Sequence, residues 1–257
     1  MSAGHKSNPR AGAFGAAAAE YERGRPSYPP AAVDWLVPAG ASRVLDLGAG
    51  TGKLTRLLAD RGLEVVAVEP LAEMREQLSR VLPGVRVMAG AAERIPADDH
   101  SFDAVLVAQA WHWVDARLAV PEVARVLRPG GWLGLAWNIR DQRQDWVGAL
   151  GRILYRHGDR DNEHSVPTIG PPFGQIQRLD LEWSQHLTPD VLIDLVASRS
   201  YVITLPEAQR AAVIAEVREL VSSHPATAGR LEIVLPYVTR CSRTQLAQDG
   251  EGPEARS

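Results

Sequence analysis

The chain has 257 residues, of which 45% are hydrophobic and 23% charged, and its formal net charge is −3. This composition is typical of a globular protein and excludes a disordered chain, and the acidic balance argues against nucleic acid or an anionic membrane as a partner. The single cysteine, Cys241, excludes an internal disulfide and a zinc site built from cysteines. Because no apolar run approaches the roughly 20 residues of a membrane span and no signal peptide is recognisable, we expect a cytoplasmic protein.

The first half of the chain alternates short apolar runs with segments of helical spacing. Taken in order, the predicted strands are Val44–Leu47, Val65–Val68, Val85–Met88, Ala104–Ala108 and Trp132–Trp137, and the predicted helices are Leu54–Arg61, Ala72–Val81 and Val120–Leu127. Strands that are almost entirely apolar are typical of a parallel sheet covered by helices on both faces. We therefore predict a doubly wound α/β fold with its ligand crevice at the carboxyl ends of the strands.

Beyond Trp137 the pattern is looser. It predicts helices at Asp145–Tyr155, Pro189–Ala197 and Glu207–Ser222, and strands at Leu179–Leu187 and Leu231–Val238. Two strands that enclose a helical insertion would extend one edge of the same sheet. We therefore expect a single domain over residues 14–240, with disordered ends at 1–13 and 241–257.

The strongest chemical signal is the segment Asp46–Gly52, which reads Asp-Leu-Gly-Ala-Gly-Thr-Gly. Its glycines, Gly48, Gly50 and Gly52, stand between a predicted strand and a predicted helix. Glycine there permits positive φ and lets the backbone approach a ligand closely. An ordinary strand-to-helix turn needs fewer glycines, so the pattern favours a ligand-binding turn.

The residues around this turn indicate which ligand it binds. A dinucleotide site would have G-x-G-x-x-G, but Lys53 stands at the place of the third glycine. A carboxylate at Asp46 would repel a pyrophosphate and attract an ammonium group, and Glu69 at the next strand end can accept hydrogen bonds from ribose hydroxyls. S-adenosylmethionine, with a ribose, an α-amino group and no phosphate, fits better than NAD. An NAD(P)-dependent oxidoreductase and a non-catalytic nucleoside-binding module are the alternatives.

These motifs resemble the class I S-adenosylmethionine-dependent methyltransferases, and most closely the methyltransferase type 11 group with its ubiquinone/menaquinone-like and trans-aconitate-like branch. The resemblance covers residues 42–137 and is carried by Asp46–Gly52, Val68–Pro70, Ala89–Pro96, Ser101–Asp103 and Leu127–Gly131. Tyr21–Pro29 and Gln109–Trp113 are similar to the trans-aconitate-like branch. The resemblance implies a Rossmann-like methyltransferase fold: a seven-stranded, mostly parallel sheet with an antiparallel last pair and a helical C-terminal insertion.

The resemblance also implies that two parts of the domain have different roles. Residues 42–137 would be the cofactor-binding core and residues 138–240 would shape the acceptor site. The implied S-adenosylmethionine-binding residues are Asp46, Gly48, Ala49, Gly50, Gly52, Glu69, Pro70, Ala91, Ala92, Glu93 and Gln109. Ala91 stands where many relatives have Asp or Asn, so adenine would be bound by backbone groups at Ala91 and Ala92. Glu93 either lies beside the adenine or starts a surface turn.

Methyl transfer is an in-line displacement, so the enzyme mainly positions the reacting atoms and excludes water. A base is needed only if the acceptor must lose a proton. His112 is the candidate base, and its alternative role is an orienting hydrogen bond to the backbone. Trp111 and Trp113 are expected to wall the pocket, where an aromatic face would stabilise a sulfonium.

We expect a small-molecule acceptor, methylated on oxygen or carbon, such as a carboxylic acid or a quinone-like metabolite. Tyr21 and Tyr28 belong to a segment that is either a lid over the site or an N-terminal helix. Arg25, Arg140 and Arg199 are candidate carboxylate clamps, and each is alternatively a surface arginine. No metal is expected, because no cluster of His, Asp and Glu has metal-ligand spacing.

Overall fold

The computed structural model describes residues 25–157 and 169–247. Its strands are β1 (Arg43–Leu47), β2 (Glu64–Glu69), β3 (Arg86–Ala89), β4 (Phe102–Ala108), β5 (Leu127–Arg140), β6 (Gln177–Leu187) and β7 (Ile233–Gln245). Its helices are α1 (Pro30–Leu36), α2 (Lys53–Ala59), α3 (Ala72–Val81), α4 (Ala116–Val126), α5 (Asp145–Arg156), α6 (Pro189–Ala197), α7 (Ser200–Ile203) and α8 (Glu207–Ser223), with a short 3₁₀ helix at Trp111–Trp113. The expected N-terminal disorder at 1–13 and the candidate Tyr21 lie outside the described residues.

The seven strands form one sheet in the order β3-β2-β1-β4-β5-β7-β6. The strands from β1 to β5 pair in parallel, and β7 runs antiparallel between β5 and β6. The predicted doubly wound sheet with an antiparallel pair at one edge is confirmed. Because the chain moves outward from β1 in one direction and then returns to add β4 on the other side, the crevice of the sheet lies between the carboxyl ends of β1 and β4.

Helices on both faces explain why the inner strands are apolar throughout. Leu45 of β1 and Val105 of β4 belong to the core shared with α4, whereas Val44 and Leu106 belong to the core shared with α1 and α2. All four side chains are buried. A strand that is covered on both sides cannot alternate apolar and polar residues, which is why the unbroken runs predicted a parallel sheet.

The second half of the chain builds a separate core at the β6–β7 edge of the sheet. Apolar side chains of α5, α6 and α8 pack together with the first half of β7, and they include Leu150, Leu192, Val213, Leu235 and Tyr237. The predicted helical insertion is therefore present, as α6, α7 and α8 between β6 and β7. The same sheet thus carries a core on each face of its parallel strands and another over its antiparallel edge.

The predicted disordered tail at 241–257 is wrong for its first residues. The last strand was expected at Leu231–Val238, but β7 begins at Ile233 and continues to Gln245. Cys241, Ser242 and Thr244 are buried and pair with β5. Their polar composition concealed the strand, because the burial of a hydroxyl is offset by a hydrogen bond such as that from Thr244 Oγ1 to the Gly174 carbonyl at 2.9 Å. Residues 248–257 lie outside the described part of the chain.

We predict that a chain ending at Arg240 is much less stable than a matched chain ending at Ala247. The shorter chain loses the pairing of residues 241–245 with β5 and the burial of Cys241 and Leu246. The expected loss in free energy of unfolding is about 3–6 kcal/mol. Urea titration followed by tryptophan fluorescence measures it, and equal unfolding midpoints would contradict this account of β7.

Candidate functional site

An open cavity lies at the carboxyl ends of β1 and β4, where the strand order reverses. Three parts of the chain line it: the N-terminal segment, the glycine-rich turn together with the start of α2, and the residues that follow β4. The cavity therefore coincides with the crevice that a doubly wound sheet uses for ligands.

The structure brings many of the predicted site residues together here. Those that line the cavity are Arg25, Tyr28, Asp46, Gly48, Ala49, Gly50 and Gln109. Other predicted residues lie outside this lining: Gly52, Glu69, Pro70, Ala91, Ala92, Glu93, Trp111, His112, Trp113, Arg140 and Arg199. Of these, Glu69 contacts the glycine-rich turn, and Glu93 contacts the start of α4.

The glycine-rich turn is tied to the end of β2. The backbone N–H groups of Gly48 and Ala49 donate to the Val68 carbonyl at 2.8 and 3.1 Å. The Gly50 N–H donates to Glu69 Oε2 at 2.9 Å. These bonds hold the turn against the strand end, so that Glu69 acts on the cavity through the shape of the turn.

Two of the turn glycines differ in what surrounds them. Gly48 and Gly50 have φ values of +73° and +55°. A Cβ atom at Gly48 would lie 2.8 Å from the Cβ of Ala110, whereas a Cβ at Gly50 would meet no atom within 4 Å. Gly48 is therefore required by close packing behind the turn, while Gly50 leaves open space in the cavity lining.

Two buried carboxylates flank the turn. Asp46 is 1% exposed and accepts a hydrogen bond from Thr55 Oγ1 at 2.6 Å. Burial, together with the charge of Glu69, raises the pKa of Asp46 from 3.8 to about 7 against the opposing hydrogen bonds of Thr55. Burial also raises the pKa of Glu69, against hydrogen bonds from the Leu71 and Gly50 N–H groups. Perturbed carboxylates at a cavity are typical of functional sites.

The loop on the predicted adenine side is held by α4. Ala92 is buried, and the Ala91 carbonyl accepts from the Arg94 N–H at 3.1 Å. Glu93 Oε1 accepts from the N–H of Asp115, the N-cap residue of α4, at 2.9 Å. Glu93 lies in a turn, is half-buried and has a bonded partner within the chain, and its place beside the adenine stays a prediction.

The sequence did not predict a second set of contacts between α4 and this loop. Arg125 of α4 donates to the Ile95 and Ala97 carbonyls at 3.0 and 2.8 Å, and Glu122 Oε2 accepts from the Ile95 N–H at 3.0 Å. On a predicted helix, Glu122 and Arg125 resemble an ordinary pair of surface charges three residues apart. Only the packing of α4 against the loop gives them a structural role.

Gln109, directly after β4, has a φ of +57°, which is uncommon for a residue other than glycine. Its N–H donates to the Ala136 carbonyl at 2.9 Å and its Nε2 to the Asn138 carbonyl at 3.2 Å. These bonds to β5 hold the Gln109 side chain in the cavity wall.

The aromatic residues that follow Gln109 lie apart from the cavity lining. Trp111 is buried in the core shared with α4, whereas Trp113 is 40% exposed. The His112 ring is half-buried and its centroid lies 4.8 Å from that of the Trp113 ring. Neither tryptophan lines the described cavity, and a role for either in the acceptor pocket stays a prediction.

The three candidate arginines have different environments. Arg25 is half-buried in the cavity lining. Arg140, at the end of β5, is 5% exposed and Arg199, between α6 and α7, is 6% exposed. The alternative that these two are surface arginines is therefore wrong, and the carboxylate-clamp role of all three stays a prediction.

Sequence reasoning missed a chain of hydrogen bonds behind the cavity. Trp183 Nε1 donates to Thr239 Oγ1 at 2.7 Å, and Thr239 Oγ1 donates to Asn138 Oδ1 at 2.6 Å. Asn138 Nδ2 donates to the Ser27 carbonyl at 2.9 Å. A polar side chain inside the apolar end of β5 is a sequence signal for Asn138, but its partners depend on the register of β5 against β7.

Within residues 25–157 and 169–247, no group of three or more His, Cys, Asp or Glu side chains is arranged to hold a metal ion. In the same ranges, no helix combines the length and the hydropathy that crossing a membrane requires.

Comparisons with known proteins relate the chain to methyltransferases. A family model described as a methyltransferase domain matches residues 45–135. The chain is 58% identical over 234 residues to an uncharacterised methyltransferase of Mycobacterium tuberculosis, which covers 91% of this chain and 96% of that relative. It is 40% identical over 107 residues to a demethylmenaquinone methyltransferase of Beutenbergia cavernae, which covers 41% of this chain and 45% of that enzyme.

A solved structure agrees with these sequence comparisons. The fold is similar to that of a protein from Anaeromyxobacter dehalogenans that is assigned as a type II methyltransferase, with a TM-score of 0.63 and 26% identity. The similarity covers 87% of this chain and 97% of that protein.

We predict that the titration of Asp46 destabilises the folded protein as the pH rises from about 4 to about 7. Because the pKa of Asp46 is raised to about 7 in the folded state, the folded chain keeps a proton in this window that the unfolded chain releases. In Asp46→Asn the side chain does not titrate and still accepts from Thr55. The free energy of unfolding of the wild type should therefore fall by about 1–3 kcal/mol relative to Asp46→Asn between pH 4 and pH 7.5. Urea titrations at both pH values measure this, and a constant difference would contradict the protonated state of Asp46.

Proposed function

The chain belongs to the S-adenosylmethionine-dependent methyltransferases of the type 11 family, and on this premise we propose that the cavity between β1 and β4 binds that cofactor and serves methyl transfer to a small molecule. Because the chain belongs to a methyltransferase family, we set aside the two alternatives, an NAD(P)-dependent oxidoreductase and a non-catalytic nucleoside-binding module. The observation that carries the site assignment is the pair of buried carboxylates beside a glycine-rich turn with open space at Gly50.

The residues fit the cofactor. At Gly50 the missing side chain leaves room for a ligand to lie against the backbone. Asp46, in the cavity lining, would attract the α-ammonium group in its ionised form, which the ammonium charge favours over the protonated form present without ligand. Glu69 keeps lone pairs for ribose hydroxyls beyond those that accept from Gly50 and Leu71. A pyrophosphate would lie against the same two carboxylates and be repelled.

The remaining binding residues are assigned by their place in the fold. Gln109, in the cavity wall, would bind the methionine end of the cofactor through its amide oxygen, since Nε2 already donates to Asn138. The turn backbone at Gly48, Ala49 and Gly52 would surround the cofactor, Pro70 would lie beside the ribose, and backbone groups at Ala91 and Ala92 would bind the adenine. Glu93, which holds Asp115, would position the adenine-side loop.

When bound, S-adenosylmethionine supplies an electrophilic methyl group on a sulfonium. The chain contributes positioning and exclusion of water. Arg25, Pro26 and Tyr28 of the N-terminal segment form the wall that covers the cavity, and the glycine-rich turn forms another. We favour a lid for this segment, because Arg25, Pro26 and Tyr28 line the cavity. The alternative helix would precede Arg25 and lies outside the described residues.

For the acceptor we propose a carboxylic acid, methylated on oxygen. Arg25 lies in the cavity wall, and Arg140 and Arg199 place two further guanidinium groups inside the part of the chain, residues 138–240, that we expect to shape the acceptor site. A guanidinium binds a carboxylate with two parallel hydrogen bonds. A carboxylate acceptor has no proton to lose at neutral pH, so no base is required.

A quinone-like acceptor, methylated on carbon, is the second candidate. It is supported by the similarity to the demethylmenaquinone methyltransferase of Beutenbergia cavernae, which covers 41% of this chain. An activated carbon must lose a proton, so this acceptor would need a base, and His112 is the candidate.

Binding of S-adenosylhomocysteine tests the cofactor site. We predict that calorimetry detects binding of this product to the wild type and detects none of NADH. Gly50→Ala fills the open space at the turn and should raise the dissociation constant at least about tenfold. Gly40→Ala is the matched control, because Gly40 also has a positive φ and no neighbour within 4 Å but lies outside the cavity lining. Binding of NADH without S-adenosylhomocysteine would overturn the proposed function.

The role of His112 is tested after the acceptor has been identified by tritium transfer from methyl-labelled cofactor to a low-molecular-weight cell extract. With a carboxylic acid acceptor we expect His112→Ala to lower turnover by less than about tenfold and to leave the pH profile of turnover unchanged. Loss of a base would lower turnover by about 10²- to 10⁴-fold and remove an ionisation from that profile. The latter result would assign the base role to His112 and favour an acceptor that loses a proton.

A further inference from the structure

We propose that Asn138 is a positioning residue that holds two walls of the cavity in place, the N-terminal segment and Gln109, although Asn138 itself does not line the cavity. This inference rests on the proposed function only in assigning the cavity to the cofactor. Asn138 lies near the end of β5 and is 3% exposed.

Both walls are bonded to the same residue. The Asn138 side chain donates through Nδ2 to the Ser27 carbonyl at 2.9 Å, and the neighbours of Ser27, Pro26 and Tyr28, line the cavity. The Asn138 backbone carbonyl accepts from Gln109 Nε2 at 3.2 Å, and Gln109 lines the cavity from the β4 side. A displacement of Asn138 would therefore move two separate parts of the chain that face the ligand.

The orientation of the Asn138 amide is determined by the chain of hydrogen bonds behind it. The indole N–H of Trp183 can only donate, and the Ser27 carbonyl at the other end can only accept. Because Asn138 must present Nδ2 to Ser27, its Oδ1 faces Thr239, whose hydroxyl accepts from Trp183 and donates to Oδ1. One assignment of donors and acceptors satisfies every group, so the amide has no equally good flipped state.

This chain of bonds also extends from the cavity wall to the core at the β6–β7 edge of the sheet. The ring of Trp183 on β6 stacks on the buried ring of Tyr237 with centroids 5.2 Å apart, within the core of the antiparallel edge. Thr239, which is 0% exposed, lies directly opposite Asn138 in the β5–β7 register. The part of the chain assigned to the acceptor is thereby linked to the segment that covers the cofactor cavity.

Removal of the Thr239 hydroxyl tests the inference without altering a residue that faces the ligand. Thr239→Val keeps the shape of the side chain but leaves Asn138 Oδ1 and the Trp183 indole without a partner, whereas Thr239→Ser keeps the hydroxyl. Thr227→Val is a matched control for the loss of a buried hydroxyl, since Thr227 Oγ1 donates to the Val221 carbonyl and lies in the C-terminal half. Asn138→Ala removes the bond to Ser27 directly.

Two readouts apply to each variant: hydrogen exchange of the peptide 25–36 in the ligand-free protein, and the calorimetric dissociation constant of S-adenosylhomocysteine. We expect Thr239→Val and Asn138→Ala to exchange this peptide at least about fivefold faster and to bind about tenfold more weakly. Thr239→Ser and Thr227→Val should match the wild type in both readouts. Unfolding midpoints, measured in parallel, show that the variants are folded under the assay conditions.

The outcomes separate this inference from the proposed function. Unchanged exchange in Thr239→Val and Asn138→Ala would overturn the inference, as would faster exchange without weaker binding. Equal effects of Thr239→Val and Thr227→Val would also overturn it, because the cause would then be a general loss of stability. If the wild type failed to bind S-adenosylhomocysteine, the proposed function would fall, while the exchange of peptide 25–36 would still decide whether Asn138 holds this segment.

Discussion

The close attachment of the glycine-rich turn to the end of β2 is the constraint on which the site depends. Val68 accepts two backbone N–H groups of the turn, and the Glu69 carboxylate accepts a third. The turn can lie this close only because Gly48 has no side chain to strike Ala110. A carboxylate buried at this point has a raised pKa, which is tolerated because its backbone hydrogen bonds offset the cost of desolvation.

Two features of the sheet position the residues around this turn. The parallel strands β1, β2 and β4 place their carboxyl ends side by side, so the turn, Glu69 and Gln109 meet at one crevice. The antiparallel edge adds β7, which lies beside β5 and brings Thr239 opposite Asn138. Parallel pairing thus assembles the candidate cofactor site, and antiparallel pairing supports the wall that covers it.

Local signals explain why much of the site was predictable. Asp46, Gly50 and Glu69 stand at strand ends or in the turn, and the carboxyl ends of neighbouring parallel strands meet once the sheet is recognised. Trp111 shows the limit of this reasoning, because its position after β4 did not reveal that its ring packs into the core beside α4. The end of β7, residues 241–245, was missed because its buried residues include Ser242 and Thr244, whose polar hydroxyl groups do not indicate burial in a sequence.

The sequence by itself determined the order of most strands and helices and the place of the glycine-rich turn, because apolar periodicity and glycine placement act over a few neighbouring residues. Its motifs also carry the resemblance to the methyltransferase family. Only the tertiary structure decided which polar side chains meet. Asn138 and Thr239 lie 101 positions apart, and the register of β7 on β5 makes them neighbours. Arg140 and Arg199 read as surface residues in the sequence and are buried, because exposure depends on what packs over a side chain.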